Sequence, residues 1–247
     1  MSFPADWIVP DWPAPRNVRA ICTSRAGGVS IAPYDSLNLG DHVGDDPAAV
    51  RRNRQVFNDA LGARPVFLAQ VHGVKTASLS PETPDGTTAD GCVTGHRGVA
   101  CTIMVADCLP VLLTDVRGTA VGAAHAGWRG LAEGVIEAAV TAMPRGERMA
   151  WLGPCIGPDA FEVGAEVRDA FVSRDASAAQ YFKTHGEGKF LADLPGLARQ
   201  RLQALGVTAI YGNDSSTPWC TVSNPSRFFS HRRDRVSGRL AASVWLA

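Results

Sequence analysis

Two imidazoles and one thiol stand out because each sits at the margin of an apolar run. They are His72 in Gln70-Val71-His72-Gly73, Cys108 in Ala106-Asp107-Cys108-Leu109-Pro110, and His125 in Ala124-His125-Ala126-Gly127. A strand end fixes the direction of a side chain, while the following loop leaves it open to a ligand. Two nitrogens and a thiolate form a borderline-soft donor set that suits zinc, and three protein ligands leave a fourth tetrahedral position for water or substrate. Spacing alone does not decide the matter. The intervals from His72 to Cys108 and from Cys108 to His125 match no local metal motif, and two hydrogen-bonded histidines with a core cysteine have the same signature.

A glycine turn follows His125. Gly127 and Gly130 flank Trp128-Arg129, and a helical apolar stripe starts at Leu131. A strand, a glycine turn and a helix start offer free backbone N–H groups to an anion, and Arg129 adds a fork for phosphate or carboxylate. An ordinary connection with a surface arginine is the alternative. Trp128 either shields a site or serves as a buried anchor.

The elements that must hold these residues are legible from periodicity. Strands are expected near 18–23, 66–71, 99–106, 111–114, 120–125, 149–152, 207–211 and 240–246, and helices near 47–61, 131–143, 163–171 and 194–205. Pro47 suits a first helical turn and Gly62 lies just past that helix's end. Strands outnumber helices and include hairpin-like neighbours, so mixed β-sheets layered with flanking helices are expected in a single α/β domain over 1–247. Residues 1–17, rich in proline, read as an extended lead-in.

The 247 residues are 45% hydrophobic and 19% charged, enough for a large core and too apolar for disorder. Lys+Arg and Asp+Glu are each 24, so no field points to nucleic acid or acidic lipid. No run resembles a secretion signal or a membrane span, and the six cysteines are scattered without a CxxC pair. A soluble, cytoplasmic protein with reduced thiols is expected. Cys22, Cys92, Cys101, Cys155 and Cys220 read as packing residues, and His96 and His185 as exposed ones. The oligomeric state is not encoded legibly.

Eight segments together carry a resemblance: TSRAGGVS (23–30), YDSLNLGDHVGDD (34–46), QVHG (70–73), ADGCVT (89–94), ADCLPVLL (106–113), AAHAGWRG (123–130), LGPCIGP (152–158) and FFSHRRD (228–234). In this order they resemble the laccase-domain family. Its members are also described as multicopper-polyphenol-oxidase-like proteins, purine nucleoside phosphorylase/adenosine deaminases, or peptidoglycan editing factors. The resemblance implies a zinc site on His72, Cys108 and His125, the same three residues reached from the donor set. It also implies phosphorolysis of purine nucleosides (adenosine, inosine, guanosine, methylthioadenosine) together with adenosine deamination.

Phosphorolysis needs an anion cradle beside a sugar site, because phosphate attacks C1′ as positive charge develops on the ribose. Arg25 beside Gly27-Gly28, Arg129, and Arg232-Arg233 after His231 are the candidates. Deamination needs a carboxylate to move protons, and Asp107 is the candidate, with a role in orienting a histidine as the alternative. His42 and His231 are candidate pocket residues or structural hydrogen-bonding histidines. The HxE and PCxxC signature of zinc nucleobase deaminases is lacking. Six histidines without one HxH pair cannot assemble a four-copper laccase, although a single copper suits the His/Cys/His donors. A cysteine hydrolase using Cys108 with a histidine base, and a zinc that only staples the fold, complete the alternatives.

Overall fold

The computed structural model describes residues 3–247. Helix α1 (Pro47–Leu61) begins as its residues dictate: the Asp46 carboxylate accepts from the Ala48 N–H, and Gly62 closes the helix at φ 61°. Around it the strands form two large sheets. The first holds β1 (Val18–Cys22), β2 (Arg64–Phe67), β5 (Val99–Val105) and β13 (Leu240–Leu246), in the order β1-β13-β5-β2. The second holds β3 (Thr76–Ser78), β4 (Gly91–Thr94), β6 (Leu109–Asp115), β7 (Val121–Ala126), β8 (Arg148–Leu152) and β12 (Ala209–Gly212), in the order β12-β8-β6-β7-β4-β3. Pairs β2–β5, β3–β4 and β8–β12 are parallel and the rest antiparallel, so both sheets are mixed, as expected.

Alternating residues explain the layering. Cys101, Ile103 and Val244 of the first sheet pack with Cys92, Leu112, Val121 and Trp151 of the second. On the outer face of the first sheet, Ile21, Phe67 and Trp245 meet Phe57 and Leu61 of α1. On the outer face of the second, Val111, Leu113, Ala124 and Leu152 meet helices α2 (Trp128–Glu133), α3 (Val135–Ala142), α4 (Ala165–Val172) and α5 (Leu194–Ala204). Both sheets are thus covered on both faces. This is why β5, β6, β7 and β13 are buried at every position and are predominantly apolar along their whole length.

Several expected elements change. The single helix over 131–143 is two, α2 and α3, broken at Gly134, whose φ of 110° only glycine adopts readily. Val163 lies in a strand, β9 (Glu162–Gly164), and not at the start of α4. That strand joins β10 (Phe182–Thr184) and β11 (Lys189–Ala192) in a small sheet of order β10-β11-β9, too short and polar to read from periodicity. The expected strand 66–71 ends at Phe67, which leaves His72 in a loop. Of the expected extended lead-in, residues 1 and 2 lie outside the described residues, and 3–17 run as a chain with turns at 5–6 and 16–17 and an isolated bridge from Ile8 to Cys22. Among the described residues no helix is long and apolar enough to cross a membrane.

Candidate metal centre

Three different local devices bring the ligands together. His125 is the penultimate residue of β7, buried in the sheet. Cys108 lies in the turn from β5 to β6, immediately before Leu109, and Asp107 beside it adopts φ 94°. His72 sits in the loop after β2 with φ 61°. Such backbone states in non-glycine residues typically cost about 1–3 kcal/mol and persist where surrounding contacts over-determine them.

Those contacts are identifiable. The Asp107 carboxylate accepts from the Thr221 hydroxyl and the Arg232 N–H, both at 2.6 Å, and its carbonyl accepts from the Ile156 N–H at 2.9 Å. Asp107 therefore holds the turn that presents Cys108, and it bonds neither histidine. The expectation that it orients a histidine is corrected here.

That role belongs to Asp90, at the entry to β4, which the sequence reading passed over. Its Oδ1 accepts from His125 Nδ1 at 2.9 Å and from the His72 N–H at 2.9 Å, and its Oδ2 accepts from the N–H groups of Val71 (3.1 Å) and Gly73 (2.8 Å). The His125 N–H in turn donates to the Asp90 carbonyl at 2.7 Å. One fully buried carboxylate thus fixes both a loop ligand and a strand ligand. The available signal was a carboxylate directly before Gly91–Thr94, a segment with no exposed residue.

The donor atoms of His72, Cys108 and His125 all lie within 4.8 Å of one another, and Cys108 Sγ is 3.8 Å from His72 Nε2. A carboxylate can only accept, so His125 Nδ1 carries the proton toward Asp90 and Nε2 is left for a ligand. Burial opposes charge on the Cys108 thiol, yet the neighbouring His125 and the hydrogen bonds from both histidines outweigh it and lower the pKa to about 6. Burial likewise opposes the His125 cation, but Cys108 and Asp90 raise its pKa to about 9. Without metal the pair rests as thiolate and imidazolium, a poised anionic sulfur.

The glycine turn permits a close approach of backbone to the cluster. A Cβ on Gly127 would stand 2.9 Å from Cys108 Sγ and 3.0 Å from His72 Cδ2, and one on Gly130 would stand 2.9 Å from the Gly73 carbonyl. Both glycines let α2 close onto the ligand loop. Arg129 is exposed, stacks on Trp128 at 4.5 Å and does not line the ligands' cavity. Arg25 is also elsewhere, paired with Asp35 at 3.1 Å, bonded to the Pro225 carbonyl and lying over Phe229. The expected anion-binding roles of Arg25 and Arg129 have no support in these positions.

His42, His72, Asp107, Cys108, His125 and Arg232 do line one cavity of about 430 Å³. Its apolar walls include Met104, Trp128, Ile156, Phe161 and Leu194, and His231, Arg235 and Arg239 also face it. Neither Arg235 nor Arg239 was anticipated: each is a single arginine beyond the FFSHRRD segment.

The family model for multi-copper polyphenol oxidoreductase laccase matches residues 19–247. This chain belongs to that family. Within the laccase family, a Pseudomonas aeruginosa protein described as a purine nucleoside phosphorylase is 54% identical over 97% of this chain and 98% of its own. The Escherichia coli purine nucleoside phosphorylase YfiH is 49% identical over the same shares. A Neisseria meningitidis crystal structure superposes with a TM-score of 0.92 at 49% identity, covering 98% of this chain and 99% of that one. The laccase-family fold expected from the sequence is the one observed. The His72/Cys108/His125 cluster also gives this member a place where a metal fits, with soft and borderline donors, a histidine tautomer set by Asp90, and no Cβ at Gly127 to obstruct the sulfur.

Proposed function

We propose that this chain is a zinc-dependent purine nucleoside phosphorylase. One observation carries the reading: the His72/Cys108/His125 cluster and the arginines Arg232, Arg235 and Arg239 face a single cavity with apolar walls. None of these three arginines is paired with a carboxylate among the described residues, so their charge is available to an anion. The names of the two relatives favour the same chemistry.

Zinc, if held by His72, Cys108 and His125, would supply a Lewis acid to this cavity. The other roles belong to the protein. Phe161, Ile156 and Leu194 offer the apolar surface a purine requires, and the arginines hold phosphate and offset its charge as it nears C1′. A phosphate oxygen bonds to C1′ as the bond from C1′ to the purine nitrogen breaks; the electron pair leaves with the purine, which takes up a proton.

Adenosine deamination has less support. Asp107 is the one carboxylate lining the cavity among the described residues, and both its oxygens are engaged. Copper would find the same donors as zinc. A cysteine hydrolase with Cys108 as nucleophile draws on the same thiolate and is separated by metal content. Purified protein, assayed for metal and incubated with adenosine and phosphate, should release adenine and ribose 1-phosphate; Cys108→Ala should release neither. Base release that does not depend on phosphate, or that survives the substitution, overturns the proposal.

A further inference from the structure

Arg239, immediately before β13, is built into the cavity wall with unusual care. Its backbone is locked on both sides to the segment 38–40: its N–H donates to Asn38 Oδ1 at 2.8 Å, and its carbonyl accepts from the Leu39 N–H at 3.1 Å. The same Asn38 oxygen accepts from the Gly40 N–H at 2.9 Å, and Asn38 is fully buried. The arginine stem passes over Gly40, where a Cβ would come within 2.7 Å of Arg239 Cγ. At the far end Nη1 donates to the carbonyls of Ser237 (2.8 Å) and Gly238 (3.1 Å). Backbone, stem and one guanidinium nitrogen are therefore all fixed.

The remaining edge of the fork is not. Among the described residues, Nε and Nη2 donate to no protein acceptor, and no carboxylate pairs with the charge. Asp107 is nearby but occupied by Thr221 and Arg232. The other two arginines of the wall are less suited. Arg232 spends Nη1 on the Glu162 carbonyl and lies over Phe161 at 5.5 Å, and Arg235 is exposed. A half-buried guanidinium with two parallel unfilled donors matches two oxygens of a tetrahedral oxyanion.

We propose that Arg239 anchors the phosphate co-substrate through its Nε/Nη2 edge, aimed by Asn38 and Gly40. This rests on the phosphorylase reading above. It also gives the YDSLNLGDHVGDD segment a purpose: it frames the anchor and contributes His42 to the same cavity.

The zinc-loaded protein tests it by steady-state phosphorolysis with each substrate varied. Arg239→Met keeps the stem and removes the fork, and should raise the phosphate KM by about tenfold or more with the nucleoside KM changed about threefold at most. Arg239→Lys should recover part of this, because an ammonium is a point charge without the bidentate geometry. Gly40→Ala, which displaces the stem, should raise the phosphate KM without touching the guanidinium. If Arg239→Met folds poorly by circular dichroism, the Lys and Gly40 variants carry the same test. An unchanged phosphate KM in the variants that fold overturns the assignment. Calorimetry with inorganic phosphate alone distinguishes the two readings. Phosphate binding that depends on Arg239 in a protein without phosphorolysis sustains the anion site and sinks the phosphorylase reading; phosphorolysis indifferent to Arg239 does the reverse.

Discussion

The carboxylate of Asp90 lies 2.9 Å from His125 Nδ1 and bonds three successive N–H groups of the loop carrying His72. A single buried group thereby ties the sheet to the loop at the centre. Its own proton affinity is lowered: burial raises it, but the bonds from His125, Gly73 and Val71 prevail, so the group stays an anion.

Asp90→Asn should keep the fold and weaken zinc binding by about 10–100-fold, the usual effect of removing a partner that orients a ligand. Competition with a chromophoric chelator measures it. Unaltered affinity would mean that the histidines are held by packing alone.

Thiol chemistry gives a pH test. Since the Cys108 pKa is lowered to about 6, the metal-free protein holds thiolate above that pH and loses it below. Iodoacetamide should therefore label metal-free Cys108 at a rate already near its plateau at pH 7, falling as pH drops through 6. Zinc-loaded protein should be labelled far more slowly. A midpoint in the ordinary thiol range would refute the ion pair with His125.

Gly127→Ala places a methyl group 2.9 Å from Cys108 Sγ. Metal content should drop with little change in the far-ultraviolet spectrum, because the clash falls on the ligands and not on the sheets. Full zinc occupancy in this variant would show that Cys108 has room to retreat.

Chelation should abolish activity while leaving the fold standing. Three apolar clusters hold the fold, so the metal adds stability only through its binding equilibrium. Loss of secondary structure on chelation would favour the structural-staple alternative.

Arg129→Ala should leave the phosphate KM within about twofold, since its guanidinium lies on Trp128 outside the cavity. Arg25→Ala should instead lower stability by about 1–2 kcal/mol through lost bonds to the Pro225 carbonyl and Asp35. A large rise in phosphate KM for either would restore it as an anion ligand.

Much was legible in the residues. The apolar runs of β5, β6, β7 and β13 announce strands buried on both faces, Pro47 and Gly62 bracket α1 to the residue, and residue type singles out His72, Cys108 and His125, whose donor atoms the fold brings within 4.8 Å of one another. These signals are local. Burial of a strand or the cap of a helix is imposed on consecutive residues, so their pattern records it.

What tertiary structure decided is which polar groups meet. Asp90 reaches His125 across 35 positions, Asp107 reaches Thr221 and Arg232 across more than a hundred, and Arg239 reaches Asn38 across 201. An arginine beside a glycine turn looks the same in sequence whether its fork faces a cavity or stacks on a tryptophan. Only the crossing of two sheets, whose strand order departs from chain order, selects Arg239 and Arg232 and turns Arg25 and Arg129 away. Pairings set by sheet topology leave no periodic trace along the chain, and so they become visible only once the layers are assembled.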